Sequence, residues 1–325
     1  MKFIFSKLVI ALLVVCAFAN AFAQKEKNKH KDVPDDEDKS VATVTTAKNV
    51  AVIYCGGTGR VYVRGWDKPE VRAVGEEGSK IKITAIKNNE DVSAPASQIE
   101  VQLRDGESKG FYVGQCQNKS NIELYVPRGA SVDLRTQHGD ITAEKIAKAK
   151  LRSVSGSFSI RDVNGYVQVS TSSGDISLDN SSGSISLNAF SGSIDVRNVK
   201  SIEAVDSIGA VSLSGDVTLE NVSFLRVEGN STSGDVTFFG SLTKGSTYHF
   251  RSTSGDVTTV LPATSSFKVT AFVSHSGEII CDFPIAKPTT NKTMESITRL
   301  VGTHGTGDST LVLTSVNGTV HLRKK

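Results

Sequence analysis

Acidic side chains directly follow glycines at several places in the second half of the chain. These acidic residues are Asp216, Asp235, Asp256 and Glu278. In a stacked repeat they would form consecutive rungs of one stripe, and carboxylate oxygens favour hard cations such as Ca²⁺ and can bond sugar hydroxyls. The stripe is therefore a candidate cation-binding or sugar-binding surface. The alternative is that each carboxylate is a solvated corner residue bonded to its own turn.

No pattern in the sequence predicts a catalytic or metal centre. Glycoside hydrolysis requires two carboxylates with different roles about 5–10 Å apart, and no stretch distinguishes an acid from a base. His138, His275 and His304 stand near glycines without a Ser or Asp partner at an informative spacing. Zinc-type CxxC or HxxxH spacing is absent from the sequence. We therefore expect no catalytic residues, no metal and no cofactor, with a glycoside hydrolase or lyase on the same scaffold as the alternative.

The cysteines suggest one disulfide. Of the four, Cys16 lies in the N-terminal apolar run, which leaves Cys55, Cys116 and Cys281. An oxidising compartment would favour a disulfide, and Cys55 with Cys116 is the predicted pair because both lie in the N-terminal part. Three unpaired buried thiols are the alternative.

The N-terminus has the pattern of an exported protein. Residues 1–23 carry Lys2 and Lys7, an apolar run and Ala21-Phe-Ala, as in a cleaved signal peptide. Residues 24–44 are predicted to be a disordered charged linker. Without Lys2 and Lys7, 35 basic residues oppose 34 acidic ones, and the basic residues are scattered. We therefore expect no nucleic-acid partner and, after cleavage, no transmembrane segment; the predicted location is the periplasm, the cell surface or the medium.

Nine-residue repeats indicate the fold. The stretch 171–196 contains three near copies of a unit in which Ser-Gly precedes an apolar/polar alternation. The predicted turn glycines are Gly139, Gly156, Gly165, Gly174, Gly183, Gly192, Gly215, Gly234, Gly255 and Gly277. The spacing predicts an all-β, single-stranded parallel β-helix (β-solenoid) in which two nine-residue halves form one coil. Residues 131–325 are the predicted repeat domain, and residues 45–130 are a β-rich N-terminal capping segment with the first coils.

Two further features bear on the ends of this array. Asn317-Gly318 predicts a closing hairpin. Trp66, the only tryptophan, is expected to plug the end of the core, with a sugar-stacking platform as the alternative.

Several of these motifs together resemble a known family. They are Gly59-Arg-Val-Tyr-Val-Arg-Gly-Trp-Asp, Leu124-Tyr-Val-Pro-Arg-Gly-Ala, Leu134-Arg-Thr-Gln-His-Gly-Asp-Ile, the Ser-Gly-Asp-Ile/Val repeats and Thr314-Ser-Val-Asn-Gly-Thr-Val. Across residues 48–323 the chain resembles the adhesin-like β-helical domains known as auto-transporter adhesin heads of bacterial envelope proteins. The resemblance implies a right-handed parallel β-helix, export and no established catalytic residues. The predicted function is a non-enzymatic adhesin-like protein with a polar face for adhesion or for binding polysaccharide or another surface component; a purely structural envelope element is a third possibility.

Overall fold

Short strands with alternating burial make up the chain. A computed structural model describes residues 40–86, 95–104, 116, 118–119, 121–274, 277–293 and 296–325. The predicted signal peptide and residues 24–39 of the predicted linker lie outside the described residues. The described part contains strands and no helix, which confirms the all-β prediction.

The strands are β1 (Val41–Thr58), β2 (Val61–Trp66), β3 (Glu70–Gly75), β4 (Lys80–Ile86), β5 (Ala96–Arg104), β6 (Ile122–Pro127), β7 (Ser131–His138), β8 (Ile141–Glu144), β9 (Lys148–Ser155), β10 (Phe158–Arg161), β11 (Asn164–Ser173), β12 (Ile176–Asp179), β13 (Ser182–Ser191), β14 (Ile194–Lys200), β15 (Ile208–Ser214), β16 (Val217–Ser223), β17 (Arg226–Ser231), β18 (Val236–Phe239), β19 (Thr247–Ser252), β20 (Val257–Leu261), β21 (Phe267–Val273), β22 (Ile279–Cys281), β23 (Ala286–Thr293), β24 (Ser296–His304), β25 (Ser309–Ser315) and β26 (Val320–Lys324).

Each coil contributes one strand to each of two parallel stacks. Stack A runs β5-β1-β7-β9-β11-β13-β15-β17-β19-β25-β21, and stack B runs β6-β2-β8-β10-β12-β14-β16-β18-β20-β26-β22. Within a strand, alternate side chains point inward. In-register stacking then aligns the same position of every coil, which yields a continuous column of Val, Ile, Leu and Phe inside. This is the parallel β-helix predicted from the nine-residue units.

The N-terminal strand begins earlier than the linker prediction placed it. Val41–Thr45 of β1 pair antiparallel with β3, so residues 41–44 belong to a strand rather than to a disordered linker. Residues 41–45 are rich in Val and Thr, which favour strands. The linker prediction included residues 41–44 because they directly follow the charged run. At this end β5 and β6 form the outermost coil, and β4 pairs antiparallel with β5.

The coil order at the C-terminal end differs from the sequence order. After β19 and β20 the chain skips one layer to form β21 and β22, adds the antiparallel strands β23 and β24, and returns through β25 and β26 into the skipped layer. The predicted Asn317-Gly318 hairpin is therefore wrong. These residues form a coil corner, because β25 and β26 pair with neighbours in different stacks rather than with each other.

Candidate functional site

Glycines line one corner of the coils because successive backbones approach closely there. At Gly174 φ is +132° and a Cβ atom would lie 2.3 Å from the carbonyl oxygen of Gly156, one coil earlier. The same close approach links consecutive members of one column: Gly59, Gly139, Gly156, Gly174, Gly192, Gly215, Gly234, Gly255, Gly318 and Gly277. Gly165 and Gly183 lie at the opposite corner, where Gly183 approaches the Gly165 carbonyl. The predicted glycines thus form two corner columns.

The residues after these glycines form a hydrogen-bonded ladder. Asp216 Oδ1 accepts the backbone N–H of Asp235 at 2.9 Å, and Asp235 Oδ1 accepts the N–H of Asp256 at 2.8 Å. Asp256 Oδ1 in turn accepts the N–H of Thr319 at 2.8 Å. One oxygen of each carboxylate therefore caps the next coil, and the like charges are spread along an exposed corner.

Glu278 does not continue this acidic stripe. Thr319 of the inserted C-terminal coil lies between Asp256 and Glu278, as the order Gly255, Gly318, Gly277 shows. The prediction of four consecutive acidic rungs is wrong in this respect, because it assumed that coils stack in sequence order. Of the four predicted acidic residues, the structure places Asp216, Asp235 and Asp256 on consecutive coils.

The opposite corner carries a second ladder that the sequence reasoning missed. Its residues have left-handed backbones, with φ between +50° and +58°: Lys145, Asp162, Asn180, Asn198 and Asn221. Asn221 Nδ2 donates to Asn198 Oδ1 at 3.1 Å, and Asn180 donates to Asp162. Asn and Asp tolerate this conformation better than most residues. The signal was available, since each of these residues stands six positions after a column glycine.

Aromatic side chains cluster on the outer face of stack B near the N-terminal end. Tyr62 and Trp66 project outward from β2, and Tyr125 projects outward from the adjacent β6. The ring centroids of Trp66 and Tyr125 lie 5.5 Å apart. We call Tyr62, Trp66 and Tyr125 the aromatic platform. The expectation that Trp66 plugs the core is wrong, because alternation along β2 buries Val61, Val63 and Gly65 instead.

Hydrogen bonds hold the rings of the platform in place. Tyr62 donates to Glu144 Oε1 at 2.8 Å, Tyr125 donates to Glu123 Oε2 at 3.0 Å, and the Trp66 indole N–H donates to the Glu70 carbonyl at 2.8 Å. Burial, and then the bond to Glu144, raises the pKa of Tyr62. The bond to Glu123 is the main cause of the raised pKa of Tyr125. Both phenols are thus neutral donors at ordinary pH, with fixed rings.

The cation between these rings belongs to a column of alternating charge. Arg64 lies between Tyr62 and Trp66 on β2, and its Nε is 3.2 Å from Glu144 on the next coil. Further along stack B, Arg161 lies 3.8 Å from Asp179, and Arg197 lies 3.6 Å from Glu220. Opposite charges on neighbouring strands stabilise the pairing that brings them together.

The remaining predicted residues have structural surroundings. A disulfide joins Cys55 and Cys116, whose Cα atoms lie 4.9 Å apart. Cys281 is a free thiol whose pKa is raised by burial. His304 bonds the Pro284 carbonyl at 3.0 Å and packs on Phe283, His138 is exposed at the end of β7, and His275 lies outside the described residues. Within the described ranges no three His, Cys, Asp or Glu side chains converge as metal ligands would.

A family model described as Toastrack DUF4097 matches residues 67–323. The chain belongs to the Toastrack DUF4097 family. The match covers most of the coils, including β6 with Tyr125, and begins directly after Trp66. This membership agrees with the predicted adhesin-like β-helical family and with the solenoid described above.

Two solved structures are similar to this Toastrack chain over most of its length. One is a "putative cell adhesion protein" from Clostridium sporogenes, 12% identical, which covers 89% of this chain and 100% of its own with a TM-score of 0.25. The other is a "putative adhesin" from Bacteroides fragilis, 13% identical, which covers 89% of this chain and 98% of its own with a TM-score of 0.38. No curated protein matches the chain. Among the residues that the structure describes, no helix has the length and apolar character needed to span a membrane.

Proposed function

We propose that this protein is an exported, non-enzymatic adhesin-like protein that binds polysaccharide through the aromatic platform. The observation that carries the proposal is the clustering of partly exposed rings on one outer sheet face. Of the Tyr and Trp residues that the structure describes, four are not buried, and three of these are Tyr62, Trp66 and Tyr125. Aromatic rings pack against the C–H faces of sugar rings, and neighbouring charged groups bond the hydroxyls.

The platform has the preorganisation that a binding surface needs. Its rings are anchored by hydrogen bonds, so little rotamer freedom remains to be lost on binding. Arg64 stands among them with 47% of its side chain exposed, which leaves a guanidinium group able to bond sugar hydroxyls or carboxylates. An outer sheet face suits an extended polymer better than a small molecule, because small ligands are usually bound in concave pockets.

Two features support export. The predicted signal peptide of residues 1–23 would direct the chain across a membrane. The disulfide between Cys55 and Cys116 suits an oxidising compartment.

Binding and catalysis can be separated in one experiment. The purified protein is applied to a panel of bacterial and plant polysaccharides, and both retention and release of oligosaccharides are measured. We expect retention without products, and Trp66→Ala and Tyr125→Ala should weaken retention by about tenfold or more. Phe239→Ala is the matched control, because Phe239 is 41% exposed on the same stack but lies far along the coils.

Other outcomes would contradict the proposal. Release of defined products would favour the glycoside hydrolase or lyase alternative. Failure to bind any polymer would favour a structural envelope element. Unchanged retention of the Trp66→Ala protein, with an intact circular dichroism spectrum, would exclude the platform as the site.

The acidic stripe at Asp216, Asp235 and Asp256 stays a separate prediction. Asp216→Asn and Asp235→Asn remove the charges but keep an oxygen that accepts the N–H of the next coil. If the stripe binds cations or sugars, these variants lose that binding and remain folded. If their binding is unchanged, the carboxylates serve the coil corner alone.

A further inference from the structure

Four cations gather on the outer face of stack A. Arg135 projects outward from β7, and Lys148, Lys150 and Arg152 project outward from the neighbouring strand β9. On these two strands a single carboxylate, Asp133, lies among them. We call these five residues the basic face, which has four positive charges against one negative charge.

The one carboxylate of the basic face is shared. Arg135 Nε and Arg152 Nη1 each lie 3.6 Å from Asp133 Oδ1, and Lys150 Nζ lies 3.9 Å from Oδ2. Oδ1 is shielded from solvent and has no hydrogen-bond partner in the described part of the chain. The cations stay accessible, with 40%, 42% and 32% of the side chains of Arg135, Lys150 and Arg152 exposed.

At one cross-strand pair the basic face departs from the alternation of opposite charges that stack B shows. There, cations and carboxylates alternate from coil to coil, as at Arg64 with Glu144 and Arg197 with Glu220. On the basic face Arg135 stands directly opposite Arg152. Like charges opposite each other on paired strands destabilise a sheet. A local departure of this kind from the pattern of the fold is typical of a functional surface.

An exposed aromatic ring adjoins the cations on the next coil. Tyr166 of β11 lies opposite Lys148, is 37% exposed, and donates a hydrogen bond to Gln168 Oε1 at 3.1 Å. A ring next to a group of cations offers packing for a sugar and charge for its substituents. The four cations span two strands, about 5 Å by about 13 Å, which is the scale of a few sugar units and small for a duplex.

We infer that the basic face binds an anionic polysaccharide, one that carries carboxylate or sulfate groups on its sugars. Charge complementarity selects this ligand, since Lys148, Lys150 and Arg152 follow one another on the outer side of a single strand. The net charge of the whole chain is low, so it gives no indication that these cations are gathered on one face. The inference rests on the proposed function, which makes the partner a polysaccharide. It adds a second binding site and the sign of the charge on the ligand.

Immobilised polymers of different charge provide the test. Binding of the purified protein to dextran sulfate, to a polyuronate and to neutral dextran is measured between about 50 and about 200 mM salt. We expect the anionic polymers to bind more tightly and with a salt dependence. Lys150→Gln with Arg152→Gln should weaken that binding by about tenfold or more and flatten the salt dependence.

The control changes the net charge equally on the other stack. Arg161→Gln with Arg197→Gln should leave binding within about twofold of the unaltered protein, because those cations are paired in the alternating column. Equal loss in both double variants would overturn the inference, since it would show a net-charge effect. Equal binding of dextran and dextran sulfate would also overturn it, as would stronger binding to duplex DNA or to anionic lipid vesicles.

The outcomes separate this inference from the proposed function. If neutral polysaccharides bind through Trp66 and the basic-face variant binds anionic polymers normally, the proposed function stands and the basic face is excluded. If anionic polymers bind through the basic face while Trp66→Ala has no effect on any polymer, the inference stands and the platform is excluded.

Discussion

At the scale of single residues, polar side chains replace the backbone partners that coil corners leave open. Asp206 shows this in the loop between β14 and β15. Its Oδ2 accepts the N–H groups of Ile202 at 2.9 Å and Glu203 at 2.7 Å, and its Oδ1 accepts the Ser184 hydroxyl at 2.6 Å. These hydrogen bonds, the one from Glu203 first, lower the pKa of Asp206.

Asp206 should make the free energy of unfolding depend on pH. The pKa of Asp206 is lower in the folded protein than in the unfolded chain, where it is about 4. The contribution of Asp206 to the free energy of unfolding is therefore fully present above the pKa of the unfolded chain. It is lost as the pH falls through the lower pKa of the folded protein. Replacement by Ala should cost about 2 kcal/mol at pH 7. Denaturant unfolding across pH 2–7 checks this. An Asp206→Ala protein with the same acid-induced loss of stability as the unaltered one would contradict it.

At the scale of the elements, one corner sets the spacing of the array. A side chain at the column glycines meets the backbone of the previous coil, and several of these glycines also have positive φ. Serine hydroxyls support the same corner from inside: Ser212, Ser231, Ser252 and Ser315 donate to the carbonyls of Gly192, Gly215, Gly234 and Gly255 at 2.7–2.8 Å. The corner is therefore satisfied on both its inner and outer sides.

Gly174→Ala should lower the free energy of unfolding by about 3 kcal/mol. The new Cβ would stand 2.3 Å from the Gly156 oxygen at a φ of +132°, so both contact and backbone are strained. Gly209→Ala is the matched control, because nothing lies within 4 Å of its Cβ position. Thermal or denaturant unfolding compares the two. Similar stabilities for both variants would show that the corner accommodates a side chain.

Local spacing predicted these elements well, because turn chemistry and alternation are local properties. Gly174, Gly183 and Gly192 indicated the two corners at nine-residue intervals, and the strands between them have the predicted inward faces. The second ladder, at Asn180, Asn198 and Asn221, could have been found by counting six residues from each column glycine. The aromatic platform could not have been found in this way. Tyr125 lies beside Trp66 only because β6 pairs with β2, and more than fifty residues of chain separate these two strands.

At the scale of the whole array, the order of coils is not the order of the chain. At the N-terminal end β5 lies outside β1, although it follows β1 in the chain. At the C-terminal end β25 lies between β19 and β21. The stripe prediction failed at Glu278 for this reason. Register with distant strands depends on how hydrophobic columns match across the stack, which no local spacing contains.

The inserted C-terminal coil should exchange amide hydrogens slowly although it ends the chain. Strand β25 is paired on both sides, with β19 and with β21, so its opening requires the separation of two neighbours. Strand β4, which pairs with β5 at one end, is the fast reference. Hydrogen exchange read by mass spectrometry compares them. Exchange in β25 as fast as in β4 would contradict the insertion.

The most direct measurement of the proposed function uses the only tryptophan of the chain. Because Trp66 belongs to the aromatic platform, tryptophan emission excited at a wavelength that tyrosine does not absorb reports on that surface. Titration with an oligosaccharide of a retained polymer should change the emission of Trp66 saturably, at the concentrations at which binding is measured independently. Binding of the same oligosaccharide with no change in Trp66 emission would contradict a polysaccharide site at the platform.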